Sequence, residues 1–500
     1  MKQQLPYGRI IIRPCHAAGS RFNYVSYESR RHLVSGKPPE ILQQGSGRQT
    51  VFRMTRRTWL GSVAAAWASR RPNIVLMVAD DLGSSDLSSY RAADIRTPHI
   101  DSIGQEGIRF THFYSNGPEC TPTRAALLTG RYPQRVGGLE CAIGVSNIGR
   151  YDDAIWLAQR GELGLPSSET SLARMLKASG YATGCFGKWH LGYSEKFSAL
   201  QHGFDEYFGI LGGNADYFTH REEDGTLTLY HNLHPAERRG YLTDLFTEEA
   251  IRWLTGRTPT QPFFLYLPFS APHTPIQDPD GFDPDQGTAL IRQGDRRIYA
   301  KMVERMDVRV GDILNQLDKM NAAENTMVIF ISDNGGDPNG RNGLLRGKKG
   351  STWEGGIRVP CLIRWPEILK PGVTSDQVGL TMDFVPTLLA ATHTSRPAGR
   401  RLDGINLLPI LSGRKPPIPR TVFWRYKRGD RLNRAVRRGD MKLVIENGKE
   451  ELHNLAQDER EQSDLLPDDK KAAPLLRRLL AEWEKDVMAP RLRPFRTKPG

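Results

Sequence analysis

The sequence predicts an α/β fold, with a large, mostly parallel mixed sheet flanked by helices and a small C-terminal antiparallel sheet carrying one helix. Three observations predict it. Continuous apolar runs at 73–79, 263–269 and 326–332 lack polar alternation, as strands buried on both faces of a parallel sheet do. Segments with helical spacing, at 170–180 and 299–317, lie between those runs, the order expected of strand–helix–strand crossovers. Beyond the proline-rich stretch 415–420, short runs at 422–426, 441–445 and 450–455 read as strands, with a last helix at 473–487. A chain of 500 residues can bury ample core and hold more than one folding unit.

Charge separates the start of the chain from the rest. The first 71 residues hold 13 of the 69 Lys and Arg and 2 of the 56 Asp and Glu, leaving 56 basic against 54 acidic residues. The nearly neutral body indicates no basic groove for nucleic acid. Residues 1–53 are polar and basic without sustained periodicity, a composition typical of disorder. Arg56-Arg57, a short apolar stretch and Ala66-Trp67-Ala68 look like a twin-arginine export signal over 54–68. Met54 stands where such a signal begins, so 1–53 read as an upstream start. The organisation expected is a leader at 1–71, a large main domain at 72–415 and a small α+β subdomain at 416–500, exported to the periplasm or beyond. No segment has the length of a membrane-spanning helix, and the five scattered cysteines form no zinc or disulfide pattern.

In chain order, the first strand, 73–79, runs into Asp80-Asp81 before Gly83. Ligands of open α/β sheets collect beyond such carboxyl ends. Next come Cys120-Thr-Pro-Thr-Arg124 and Leu128-Thr-Gly130. Pro122 suits a first helical turn. That places Cys120 at a helix N-terminus, where free N–H groups favour an anion, with Arg124 one turn further on. The helix at 170–180, starting at Thr170 or Ser171 and stopped by Gly180, leads into a strand at 181–186 and the string G-K-W-H-L-G at 187–192. In extended backbone Lys188 and His190 would share a face. The strand at 263–269 ends in Ser-Ala-Pro-His273-Thr-Pro275, which holds His273 in a restricted loop. The helix at 299–317 has the spacing of core packing. The strand at 326–332 ends in Asp333-Asn334-Gly-Gly. With Asp80 and Asp81, these supply the hard oxygen ligands calcium prefers, without the rigid geometry of magnesium. Leu345-Arg346-Gly-Lys348-Lys349-Gly350 and W-E-G-G at 353–356 follow. Loops near 140–165, 210–240 and 276–297 are expected to shape the pocket.

The cysteine motif, the two strand-end acid clusters, G-K-W-H-L-G, S-A-P-H and W-E-G-G together resemble the type I sulfatases of the alkaline phosphatase superfamily, over about 72–487 in order. The resemblance implies an alkaline phosphatase-like fold and a sulfuric ester hydrolase acting on a sulfated small molecule or glycan. It implies that a formylglycine-generating maturation enzyme converts Cys120, whose hydrated aldehyde becomes the nucleophile. Asp80, Asp81, Asp333 and Asn334, with the oxygen at position 120, would hold one calcium ion. Lys188, Lys349 and Arg124 would clamp the sulfate, His190 would act on the formylglycine hydroxyl, and His273 would meet the bridging oxygen. One departure stands out: Lys348 replaces a glycine of the family pattern L-R-x-G-K-G, which adds a cation or lets two lysines exchange roles. The competing expectations are a phosphodiesterase or phosphonate hydrolase of the same superfamily and a non-catalytic glycan-binding relative.

Overall fold

A computed structural model describes residues 9–17, 20–28, 71–137, 139–144, 161–281 and 294–487. The stretch 54–68 expected to be an export signal and parts of two expected pocket loops, 145–160 and 282–293, lie outside them. The chain divides into two compact units, 1–70 and 71–500. In the first, β1 (Arg9–Ala17) and β2 (Ser20–Glu28) pair antiparallel, from Arg9 opposite Glu28 to Ala17 opposite Ser20. This differs from the disorder expected there. Ile10 to Ile12 and Phe22, Tyr24 and Val25 are β-branched or aromatic residues that favour strands.

In the second unit, β3 (Asn73–Ala79) is the central strand, buried from Ile74 onwards. It is followed by α1 (Pro98–Gln105), β4 (Ile108–Phe110) and β5 (Phe113–Tyr114). Helix α2 (Cys120–Thr129) is buried along its whole length. Gly130 ends it at φ +70°, the left-handed stop that glycine adopts at no steric cost. Helix α3 (Leu172–Ala178) starts at Ser171, whose hydroxyl accepts the Arg174 N–H at 3.0 Å. Next come β6 (Ala182–Phe186), β7 (Glu206–Ile210), β8 (Leu229–His231), β9 (His234–Pro235) and α4 (Leu242–Thr255). Then β10 (Phe263–Pro268), the long α5 (Arg296–Lys319) and β11 (Thr326–Ser332) complete the inner sheet. The chain continues through α6 (Glu354–Ile357), β12 (Cys361–Arg364), β13 (Val373–Ser375) and β14 (Gly379–Leu380). Helices α7 (Phe384–Ala391) and α8 (Leu408–Leu411) precede the C-terminal strands.

The main sheet has ten strands in the order β13-β4-β12-β11-β3-β10-β6-β7-β8-β9. Its centre, β11-β3-β10-β6-β7, is parallel, and antiparallel pairings extend it through β12 on one side and β8 on the other. Register decides where the chemistry falls. Ser332 lies opposite Ala79, and Pro268 opposite Val78. The carboxyl ends of β11, β3 and β10 are therefore level, so the segments after residues 79, 268 and 332 emerge along one edge. Leu76→Ala, in the middle of β3, is expected to cost about 2–5 kcal/mol. Val308→Ala, at an exposed position, should stay within about 0.5 kcal/mol. Thermal unfolding of the two variants makes the comparison.

The C-terminal part is an antiparallel meander of β15 (Thr421–Arg428), β16 (Arg431–Arg438), β17 (Met441–Glu446) and β18 (Lys449–Asn454), followed by α9 (Ala472–Asp486). Leu476, Leu480 and Trp483 of α9 join Val422, Trp424 and Leu443 in a core that also takes in Tyr114, Ala126 and Ile357. The Trp424 indole donates to the Ser115 carbonyl at 2.8 Å. This sheet is thus bonded to the segment that leads into α2.

Candidate active site

Asp80 and Asp81 leave β3, Asp333 and Asn334 leave β11, and the loop carrying His273 leaves β10. Successive residues of an extended strand point to opposite faces. Asp81 escapes that alternation by adopting φ +62°, a left-handed conformation that Asp tolerates better than most residues. One ligand atom each from Asp80, Asp81, Cys120 and His273 consequently falls within 4.8 Å of the others.

Cys120 is the first residue of α2, as Pro122 predicts. Its Sγ lies 3.2 Å from Asp80 Oδ1 and 3.5 Å from Lys188 Nζ. Burial pushes the thiol well above its ordinary pKa, and the Asp80 charge adds to this; Lys188 and Lys349 offset only part. An unmodified Cys120 is therefore a neutral thiol at physiological pH, a weak nucleophile. It forms no disulfide with Cys141, Cys185 or Cys361, all of which are buried.

Arg124 is wholly buried behind this group. Its Nε and Nη2 donate to Asp333 Oδ2 at 3.1 and 2.9 Å, and its Nη1 donates to the Lys188 carbonyl at 2.9 Å. It also stands 3.5 Å from Asp80. Lys188 is equally buried, and its ammonium pairs with Asp80. Neither of these two cations is among the residues that line the cavity. Burial opposes ionisation of Asp80, but Lys188 foremost, then His273 and Arg124, hold its carboxyl well below the usual range. Asp333 goes the other way. Burial and the Asp80 charge push it up to about 7, against Arg124 and Lys188.

His190 departs from the extended geometry expected. Gly187 has φ +140° and His190 φ +52°, so Lys188 and His190 do not share a strand face. His190 lines the same cavity as Cys120, with Nε2 against the Ile143 carbonyl and a buried, unpartnered Nδ1. Among the described residues no hydrogen bond joins it to Cys120. Burial, then Lys188 and Arg124, push its pKa well below the ordinary value, so the ring is neutral.

His273 Nδ1 lies 2.7 Å from the Thr274 carbonyl. That bond assigns the proton to Nδ1 and leaves Nε2 as an acceptor, 3.0 Å from Lys349 Nζ and 3.5 Å from Asp81 Oδ2. Burial and then Lys349 push His273 down to about 4. Lys349 donates to Asp81 Oδ2 at 2.8 Å. Burial would favour the neutral amine, but Asp81 foremost keeps its pKa well above the ordinary value. The two adjacent lysines separate cleanly. Lys348 turns outward, 66% exposed, and pairs with Asp337 at 2.6 Å. It adds no cation beside Cys120 and does not exchange roles with Lys349.

The acid cluster fits a divalent cation. Asn334 Nδ2 donates to Asp81 Oδ1 at 2.7 Å and to the Gly335 carbonyl at 3.0 Å, while its Oδ1 is buried and has no partner among the described residues. A buried oxygen left so costs about 1–3 kcal/mol, and a cation would satisfy it. The upward push on Asp333 points the same way, because a divalent charge relieves crowded carboxylates.

These groups open into a cavity of about 650 Å³, the size of a small-ligand site. As the sequence suggests, the 210–240 region lines it, through Gly213, Asn214, Glu222 and Glu223. Sequence reasoning missed Tyr426, Arg428 and Arg431, which the β15–β16 hairpin contributes to the wall. The available signal was the aromatic and basic string W-R-Y-K-R at 424–428.

A buried cluster of acids and cations at the carboxyl edge of a parallel sheet, beside a helix-start cysteine, is a site for an anionic ester. Comparison with known proteins specifies which. Residues 72–394 match the Sulfatase family model, and 348–487 match N-sulphoglucosamine sulphohydrolase, C-terminal. The chain is 35% identical to N-acetylgalactosamine-6-sulfatase of Homo sapiens, over 75% of this chain and 72% of that protein. It is 33% identical to steryl-sulfatase of Mus musculus, over 69% and 66% of the two chains. The crystal structure of Ps i-CgsB in complex with k-i-k-neocarrahexaose superposes with a TM-score of 0.75 at 31% identity, covering 85% of this chain and 95% of that one. The chain belongs to the sulfatase family. It is a type I sulfatase, a sulfuric ester hydrolase, with the mixed sheet and small antiparallel sheet of that fold.

Proposed function

We propose that this sulfatase removes sulfate from a sulfated sugar, using Cys120 converted to formylglycine by a maturation enzyme and calcium held by Asp80, Asp81, Asp333 and Asn334. The observation that carries the reading is the setting of Cys120. Its Sγ lies at the start of α2 between Asp80 and Lys188, yet burial keeps it a neutral thiol. That setting supports a nucleophile made by modifying the side chain. Names among the relatives, N-acetylgalactosamine-6-sulfatase above all, support a sugar substrate. The Arg56-Arg57 signal supports export to the periplasm or beyond.

When present, calcium would polarise a sulfate oxygen, and formylglycine would offer a hydroxyl of its hydrated aldehyde to sulfur. The chain's own residues do the rest. Lys349, held ionised by Asp81, faces the cavity and offsets the ester's charge. Lys188 and Arg124 add fixed positive charge and hold Asp80 and Asp333 in place. His273 is neutral, with Nε2 accepting from Lys349; this pair stands ready to deliver a proton to the departing alkoxide. His190, neutral with Nδ1 unpartnered, is the group to take a proton from the hydroxyl at position 120.

Mass spectrometry of the tryptic peptide carrying Cys120, from protein made in its native host, is expected to show replacement of the thiol by an aldehyde. Finding only cysteine in a fully active preparation would sink the reading. Rates on 4-nitrophenyl sulfate and an aryl phosphodiester are expected to favour the sulfate; the reverse order would make this a phosphodiesterase. Lys349→Ala should lower kcat/KM on 4-nitrophenyl sulfate by about 10²–10³-fold. Lys348→Ala, which breaks only an exposed ion pair, should change it less than about threefold.

A further inference from the structure

The cavity wall carries charges of both signs. Glu222 and Glu223 line it from the loop that packs on His190, where a Cβ at Gly213 would lie 2.8 Å from the His190 ring. Arg428 and Arg431 line it from the C-terminal hairpin. They are directly opposite one another across β15 and β16, joined by the tight turn Gly429-Asp430. Like charges facing across a ladder are destabilising. Arg428 is compensated, because it pairs with Glu119. Arg431 has no ion pair among the described residues. Its guanidinium lies 5.5 Å from the centre of the Tyr426 ring. Its Nη1 lies 3.7 Å from where a Cβ on Gly350 would stand, and Gly350 is the residue after Lys349. The hairpin thus holds an uncompensated cation next to the catalytic lysine and supports it on an aromatic face.

We propose that Arg431 is a specificity determinant that binds a second anionic group of the substrate, a carboxylate or a further sulfate, on the leaving-sugar side. The inference rests on the sulfatase reading and narrows its substrate class to sugars bearing a second negative charge. A planar guanidinium suits both groups, since each presents two oxygens at fork spacing. Tyr426 restrains the side chain, which lessens the entropy lost on binding.

The test is calorimetric binding to the calcium-loaded full chain in a Cys120→Ala background, so that no turnover intervenes. Three sulfated disaccharides serve as probes: one with a uronate, its carboxyl-reduced alcohol, and one with a second sulfate in place of the carboxylate. Arg431 should make at least one doubly charged probe bind about tenfold more tightly than the alcohol; which one identifies the group. Arg431→Gln should abolish that preference and Arg431→Lys should keep part of it. Equal affinity for all three probes, or a preference that survives Arg431→Gln, overturns the proposal. Hydrolysis of 4-nitrophenyl sulfate by the wild type, measured separately, reports on the sulfatase reading, so the two can fail independently.

Discussion

Replacing Cys120 by alanine is expected to remove turnover of aryl and sugar sulfates, by about 10⁴-fold or more, while the protein stays folded. The side chain is buried, but it is small, and losing one sulfur atom costs about 1 kcal/mol. Its polar neighbours do not depend on it. Lys188 keeps Asp80, and Arg124 keeps Asp333. Loss of activity without a large fall in melting temperature therefore isolates chemistry from packing. Cys120→Ser sharpens the result. A serine offers one hydroxyl that can accept a sulfo group, but no second hydroxyl whose ionisation would expel it, so at most one turnover per chain is expected. Initial rates and a burst measurement on 4-nitrophenyl sulfate read both variants. A serine enzyme that cycles, or an alanine enzyme within tenfold of wild type, would place the nucleophile elsewhere.

Much of this was legible because the features are local. Strands 73–79 and 326–332 begin and end where the apolar runs do, since strands buried on both faces leave no polar interruption to blur their limits. The Pro122 argument for the start of α2 works for the same reason: the first turn of a helix is decided within a few residues. Strand β16 was not legible. Its sequence R-L-N-R-A-V-R-R carries charges at both ends and no clean alternation, and only pairing with β15 and β17 orders it. Side-chain direction was equally hidden where the backbone turns left-handed. Neither Asp81 nor His190 follows strand alternation, and φ is a tertiary outcome at both. The register of the motif already separated Lys349 from Lys348, but which way each side chain turns is decided by their partners, Asp81 and Asp337. The outer wall needs residues about 300 positions apart, Glu119 with Tyr426 and Arg428, and no pattern along the chain announces that contact.

The same distant partners make Arg124→Ala the second large effect. Each buried carboxylate here has a nearest side-chain cation: Lys188 for Asp80, Lys349 for Asp81, Arg124 for Asp333. Removing Arg124 leaves Asp333 without its closest compensating charge and should cost about 3–5 kcal/mol. Activity should fall with it, because the Lys188 carbonyl loses its donor and Asp80 a neighbouring charge. Asp333 is already pushed up to about 7, and the variant pushes it further. A carboxyl whose folded pKa exceeds its unfolded value binds more protons when native, so stability falls as pH rises between those two values. In chelator, the melting temperature of the variant relative to wild type should therefore fall further at pH 8 than at pH 5. If calcium occupies the acid cluster as proposed, it should recover part of the loss at pH 8, by binding the folded site and supplying the missing positive charge. A deficit equal at both pH values and indifferent to calcium would reduce Arg124 to a packing residue. A deficit that shrinks with acid and with calcium makes it the fixed charge that holds the acid cluster together.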